Sequence, residues 1–171
     1  MLNREEIEEL IKEKDLVKNF PHMETQITQN GFDFTVEKIF KFNGKGYLDF
    51  SNSEREIPEG KEIKPEKKNP DDKYGWWKLG RGAYKIRTNE IVKLPNDLMA
   101  ISFPRSSLLR MGAFTQHAAW EAGFEGKSEF ILVVENTNGI EVKENARINQ
   151  MIFVSMNETK EGYDGIYKGL S

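Results

Sequence analysis

Downstream of Pro21 the apolar residues come in short runs rich in β-branched and aromatic side chains, and this pattern constrains the fold most. The runs cover residues 32–36, 46–50, 83–87, 98–103 and 130–135. Many short strands separated by turn residues are typical of a sandwich or a barrel. The sequence therefore predicts a mainly β protein.

One short helix is predicted at the N-terminus, over about residues 3–14. Asn3 can cap this helix, and Glu6 stands three positions later, as in a capping box. Ile7, Leu10 and Ile11 then share one apolar face. We expect this face to pack against the β domain.

The chain is the size of one domain, and we interpret residues 1–171 as a single unit. Residues 51–75 are densely charged with hardly an apolar side chain, which indicates a solvated loop or the rim of a binding site. Residues 157–171 are predicted to form a flexible C-terminal tail.

Composition excludes several classes of protein. The sequence has no cysteine and two histidines, which excludes disulfides and thiolate zinc sites and disfavours a zinc-dependent nucleoside deaminase. A formal net charge of -3 gives no overall field for nucleic acid. No segment resembles a membrane span or a signal peptide, so we expect a cytoplasmic protein without nucleic-acid or membrane partners.

A phosphate-binding segment is predicted over residues 103–112, directly after an apolar strand. Arg105 and Arg110 can bind phosphate oxygens in pairs, and the hydroxyls of Ser106 and Ser107 can donate hydrogen bonds. The same residues could instead serve structure, with the arginines in salt bridges and Ser106 as a helix cap. The segment alone leaves both interpretations open.

Three further segments give the first one its context: residues 30–34, 120–126 and 144–153. Together, the four segments resemble the successive motifs of the trimeric dUTPase and dCTP deaminase superfamily. The short spacing between Arg105 and Glu121 is most similar to that of the archaeal-type dUTPases.

This resemblance implies a distorted jelly-roll subunit, the dUTPase-like β-clip, that assembles as a homotrimer with active sites between neighbouring chains. The implied reaction is hydrolysis of dUTP to dUMP and pyrophosphate. Mg²⁺ would be the cofactor and would arrive with the triphosphate.

The resemblance also implies substrate-binding residues. The phosphate group would be held by Arg105, Ser106, Ser107, Arg110 and Gln150, with Tyr163 and Lys168 from the tail. The base and sugar would lie against His117, Ala118, Ala119, Trp120 and Phe124, where Phe124 replaces the usual tyrosine under the deoxyribose. His117 could equally be a hairpin residue without contact to the base, and the tail could be a frayed terminus.

Two carboxylates are implied to be catalytic. Glu121 aligns with the family aspartate that orients the attacking water, although glutamate is one methylene longer. Asp33 would bind magnesium through water or brace the phosphate segment. Without the resemblance, both would be interpreted as turn or strand-edge residues.

Two alternatives remain at this stage. A dCTP deaminase would need a glutamate on the strand after Gly126, where the equivalent positions are Ile131 or Val133. A bulge could bring Glu129 or Glu135 there. The other alternative is a regulatory protein that binds the nucleotide without turnover.

Overall fold

The structure is a computed structural model that describes residues 1–170. Its helices are α1 (Arg4–Lys14), α2 (Met23–Gln26) and α3 (Ser106–Arg110). Its strands are β1 (Val17–Lys18), β2 (Ile27–Thr28), β3 (Gly31–Lys41), β4 (Lys61–Ile63), β5 (Trp76–Leu79), β6 (Gly82–Lys93), β7 (Leu98–Pro104), β8 (Ala113–Gln116), β9 (Glu125–Val134), β10 (Ile140–Lys143) and β11 (Arg147–Ser155). The prediction of a mainly β protein is confirmed.

The main sheet is antiparallel and runs in the order β7-β11-β3-β6-β9-β8, while β5 and β10 form a separate pair. Its two longest strands, β3 and β6, change register between Val36 and Lys38 and between Arg87 and Ile91. Such irregularities bend strands. The core consists of two apolar clusters, one around Phe32 and the other around Trp77.

The N-terminal helix forms as predicted. The Asn3 side chain accepts the Glu6 amide at 2.9 Å, and the Glu6 carboxylate accepts the Asn3 amide at 2.8 Å, which completes the capping box. Ile7 and Ile11 are buried in the same cluster as Phe32. Helix α1 therefore closes one end of the core.

The prediction of a strand at residues 46–50 is wrong. Only Tyr47 pairs, in an isolated bridge with Glu56. The Asp49 carboxylate accepts the amides of Ser51 at 3.0 Å and Glu54 at 3.1 Å. These local bonds favour a turn over a strand ladder.

The charged segment 51–75 is largely exposed, as expected, but it is not structureless. Its central part forms β4, which pairs with the end of β3. The indole of Trp77 donates to the Ile63 carbonyl at 2.7 Å and anchors the segment on the second core cluster.

The C-terminal tail lies against the domain. Amides of Thr159, Tyr163 and Gly169 donate to carbonyls of Asn96, Ala122 and Glu125 at 3.0, 2.8 and 2.7 Å. The predicted tail is therefore docked in this structure over residues 157–170, and its flexibility stays a prediction. Its last residue, Ser171, lies outside the described residues. None of the helices within residues 1–170 combines the length and the apolar character needed to cross a bilayer.

Candidate active site

The first, second and last sequence motifs meet on three neighbouring strands. Gln150 on β11 pairs in register with Asp33 on β3 and with Phe103 on β7. The Gln150 amide donates to the Thr28 hydroxyl at 2.8 Å, which fixes its orientation. Residues far apart in sequence thus form one cluster, which we call the phosphate face: Asp33, Arg105, Ser106, Ser107, Arg110, Arg147 and Gln150.

Asp33 braces this face. Its carboxylate is 1% exposed and forms ion pairs with Arg105 and with Arg147, the latter at 3.2 Å. Burial, and then the neighbouring charge of Arg147, lower the pKa of Arg105 below its ordinary value, yet a guanidinium stays charged in proteins. Arg105 is thereby held in place while its side chain remains partly exposed for an anion.

A resident metal ion does not fit this face. The Asp33 carboxylate is already engaged by two cations, and residues 1–170 contain no group of three histidine, aspartate or glutamate side chains that could hold a metal. The bracing role predicted for Asp33 fits these contacts better than the role of metal ligand.

Helix α3 places the rest of the phosphate segment at the surface. Arg105 occupies the N-cap position, so Ser106 is not the cap that the structural interpretation predicted. Ser106, Ser107 and Arg110 are exposed. The hydroxyls and the second guanidinium are therefore accessible to a ligand.

A cavity of about 360 Å³ lies beside the hairpin that joins β8 and β9. Its lining residues are Phe42, Ile57, Lys85, Ala118, Ala119, Trp120, Glu121, Phe124, Lys127, Ser128, Glu129, Phe130, Tyr163, Tyr167 and Leu170. Most of these are apolar, and ligand cavities of this kind suit a planar base with a sugar. Ala118, Ala119, Trp120, Glu121 and Phe124 thus lie where the resemblance implied.

The tail closes one side of this cavity. The Tyr163 ring packs on the Phe124 ring, with 5.5 Å between the centroids. Tyr163 therefore lines the cavity and does not belong to the phosphate face. Lys168 is exposed and lines neither. The structure therefore separates the two tail residues that were assigned together to the phosphates.

His117 is not among the residues that line the cavity. Its Nε2 bonds to the Thr115 hydroxyl at 2.7 Å, and its ring packs on Phe130 with centroids 4.4 Å apart. Burial lowers the pKa of His117 to about 4, so the ring is neutral at pH 7.

The phosphate face and the cavity are separate in one chain. None of the residues of the phosphate face lines the cavity, whereas Glu121 does. The phosphate ligands and the carboxylate implied to orient water are thus presented by different surfaces of the same chain.

The structure adds two residues that sequence reasoning did not assign, Arg147 and Lys85. Arg147 shares Asp33 with Arg105, and Lys85 pairs in the cavity with Glu129 at 3.1 Å. Sequence reasoning considered Glu129 only for the deaminase alternative, because odd-numbered residues of β9 share one face.

Strand β9 carries no bulge of the kind that the deaminase alternative requires. Partly buried and fully buried residues alternate regularly along it, and the register shift lies in the partner strand β6. Glu129 lines the cavity, but Ile131, Val133 and Glu135 do not. Glu135 pairs instead with Arg81 at 2.7 Å, outside the cavity.

An antiparallel β domain with an arginine-rich anion face and an apolar cavity of nucleoside size defines a nucleotide-binding protein. Comparison with known proteins makes this more specific. The chain belongs to the dCTP deaminase-like family, which matches residues 1–156.

Several archaeal relatives are similar over nearly the whole chain. A probable deoxyuridine 5'-triphosphate nucleotidohydrolase of Archaeoglobus fulgidus is 42% identical, with 99% of this chain and 96% of the relative covered. The protein of that name from Methanosarcina mazei is 44% identical, with 98% and 96% covered. The deoxyuridine 5'-triphosphate nucleotidohydrolase of Methanocaldococcus jannaschii is 41% identical, with 85% and 89% covered.

Among solved structures, the 2'-deoxycytidine 5'-triphosphate deaminase from Agrobacterium tumefaciens is similar, with a TM-score of 0.64. The two proteins are 18% identical, and the match covers 89% of this chain and 47% of the deaminase. The chain thus spans about half the length of that deaminase, and this likeness shows the fold alone.

Proposed function

We propose that the protein is a dUTP diphosphatase that hydrolyses dUTP to dUMP and pyrophosphate. The observation that carries this proposal is the identity of 41–44% with archaeal deoxyuridine 5'-triphosphate nucleotidohydrolases over most or all of the chain. The geometry agrees, because the chain offers a cavity for a nucleoside and a separate face for phosphates.

Glu121 is the residue that orients the attacking water. It lies at the edge of the nucleoside cavity, exposed, in a turn fixed by the hydrogen bond from the Phe124 amide to the Glu121 carbonyl at 3.1 Å. A carboxylate there can accept the proton of the water as the water attacks.

Arg105, Ser106, Ser107 and Arg110 bind the triphosphate, and Gln150 supports them. Guanidinium groups stabilise the charge that develops on the leaving pyrophosphate. Mg²⁺ enters as part of the substrate, bound to phosphate oxygens, in keeping with the lack of a metal-binding cluster of histidine, aspartate or glutamate within residues 1–170. EDTA should therefore stop turnover without altering the fold.

The complete active site is proposed to form between chains of a homotrimer of distorted jelly-roll subunits. The separation of the phosphate face from the cavity supports this proposal. Apolar side chains also surround the phosphate segment: Phe103 and Leu109 are 53% and 54% exposed, and Met111 and Phe114 are each 39% exposed. A neighbouring subunit would bury them.

Product analysis tests the proposed function. Purified protein is incubated with dUTP and, separately, with dCTP, each with Mg²⁺ or with EDTA, and the nucleotides are separated by ion exchange. We expect dUMP and pyrophosphate from dUTP only, and none with EDTA. Conversion of dCTP would indicate the deaminase, whereas binding without any turnover would indicate the regulatory protein.

The cytoplasm is part of this proposal, since nucleoside triphosphates are available there. Fractionation of cells that express the tagged protein would test the location, and recovery in the membrane fraction would contradict it.

A further inference from the structure

The cavity is lined mainly by apolar side chains, but a charged pair also lines it. Lys85 on β6 and Glu129 on β9 both line it, and each side chain is 20% exposed. A nucleoside needs only apolar walls for burial, so a charged pair at this depth requires a further explanation.

The pair has a fixed geometry. Arg87 holds the Glu129 Oε1 atom through two nitrogens, each at 2.9 Å. Lys85 approaches the other oxygen, Oε2, at 3.1 Å. Of these three side chains, Lys85 and Glu129 line the cavity and Arg87 does not.

Each partner retains hydrogen-bonding capacity. The Lys85 ammonium group, which has three donors, lies 3.1 Å from Glu129 Oε2 as an ion pair. Each oxygen of a carboxylate can accept two hydrogen bonds. The cavity therefore offers an acceptor directly beside a donor.

We infer that Glu129 and Lys85 select uracil over cytosine by binding the edge of the pyrimidine ring. This inference rests on the proposed function, because it places the base in the same cavity. Uracil presents its N3–H donor beside the O4 acceptor, which matches Glu129 Oε2 and Lys85 Nζ. Cytosine presents an N3 acceptor beside an N4 amino donor. The Glu129 carboxylate would then face another acceptor, and the Lys85 ammonium group would face another donor.

Cytosine would be rejected because it leaves Glu129 and Lys85 without a hydrogen-bond partner on the base. A buried polar group left without a partner typically weakens binding by about tenfold or more. A hairpin that bound the base through its backbone alone would not depend on either side chain.

Binding measurements on the intact protein test the inference. The probes are the α,β-imido analogues of dUTP and dCTP with Mg²⁺, titrated by calorimetry. We expect the parent to prefer the uridine analogue, and Glu129→Gln to reduce this preference by about tenfold, since an amide can donate to the cytosine N3. Glu135→Gln is the control, because Glu135 is also paired with an arginine on the same chain segment but lies outside the cavity.

Lys85→Met serves as a second variant, and thermal melting establishes that each variant is folded. It should weaken binding of the uridine analogue more than of the cytidine analogue. An unchanged preference in whichever of the two variants folds would overturn the inference, as would a parent without preference. Loss of dUTP turnover in the parent, with the preference intact, would overturn the proposed function alone.

Discussion

Glu121 and Asp33, the two carboxylates of the site, have opposite environments. Asp33 is buried between two guanidinium groups, while Glu121 is exposed at the edge of the cavity. A carboxylate with free lone pairs can orient a water molecule, whereas one already bound to two cations stabilises the groups that hold the substrate. These environments support the catalytic role proposed for Glu121 and the bracing role proposed for Asp33.

Glu121→Gln should lower kcat for dUTP by about 10²–10⁴-fold, because the amide cannot take the proton of the water. Calorimetry with α,β-imido-dUTP should show binding within about threefold of the parent, since the amide keeps the shape of the side chain. Glu125→Gln, at the start of β9 and outside the cavity, should retain activity. Parental turnover in Glu121→Gln would exclude Glu121 as the base.

Glu90 makes the stability of the protein depend on pH. This carboxyl is fully buried, accepts hydrogen bonds from Gln26 and Thr35, and has a pKa raised by burial from 4.5 to about 7. The folded chain thus holds a proton that the unfolded chain releases. The contribution of Glu90 is full below pH 4.5 and is lost as the pH rises to about 7, a change of roughly 3 kcal/mol.

The prediction is a pH-dependent difference between the parent and Glu90→Gln. Urea unfolding at several pH values should show the parent losing stability relative to the variant between about pH 4.5 and pH 7, because the variant does not titrate. A difference that is constant, or that grows in favour of the parent with rising pH, would contradict the shifted pKa of Glu90.

At the scale of elements, the β8–β9 hairpin and the tail depend on a close backbone approach. Gly123 has a φ of +80°, and a Cβ atom there would lie 2.6 Å from the Gly162 Cα. Gly169 has a similar φ of +78°, yet a Cβ atom there would meet nothing within 4 Å. These two glycines separate the effect of the contact from the effect of backbone strain.

Gly123→Ala should displace the tail, whereas Gly169→Ala should add only strain. Hydrogen exchange of the Tyr163 amide, which donates to the Ala122 carbonyl, reports on docking. We expect it to exchange about tenfold faster or more in Gly123→Ala than in Gly169→Ala. Equal exchange in the two variants would mean that the tail does not depend on this contact.

Local patterns were sufficient to predict the elements whose bonds are local. The capping box of α1 and the alternation of β9 require only neighbouring residues. The predicted strand at residues 46–50 failed because the hydrogen bonds of the Asp49 side chain compete with pairing, and composition does not reveal that competition.

Contacts between distant strands could not be predicted in this way. The motif order predicted that Asp33, Arg105 and Gln150 act together, and their strands do pair. The ion pair of Arg147 with Asp33, however, spans 114 residues and depends on the β3–β11 register. The orientation of His117 also depends on packing against Phe130, which lies on another strand.

At the scale of the whole molecule, the phosphate face and the cavity share no lining residue, and we propose that each is half of an active site. The homotrimer is a proposal that joins them, and mixed assemblies test it. Arg105→Lys keeps a cation beside Asp33 but lacks the fork that binds phosphate oxygens in pairs. Glu121→Gln lacks the base, so each variant alone should be nearly inactive.

Co-expression of Arg105→Lys and Glu121→Gln with two affinity tags should restore activity in the doubly purified assembly. If each site takes Arg105 from one chain and Glu121 from its neighbour, every mixed trimer has one intact site, so the doubly purified assembly should keep about a third of the parental sites. No recovery in a confirmed mixed assembly would mean that one chain supplies both residues.

The most direct test of the central claim is to determine which product receives the oxygen atom of the attacking water. Glu121 lies at the edge of the nucleoside cavity, so the water that it orients faces the phosphorus atom nearest the sugar. Hydrolysis of dUTP in ¹⁸O-labelled water, followed by mass spectrometry of both products, should show the label in dUMP and none in pyrophosphate. Label in pyrophosphate, or no dUMP at all, would contradict the account.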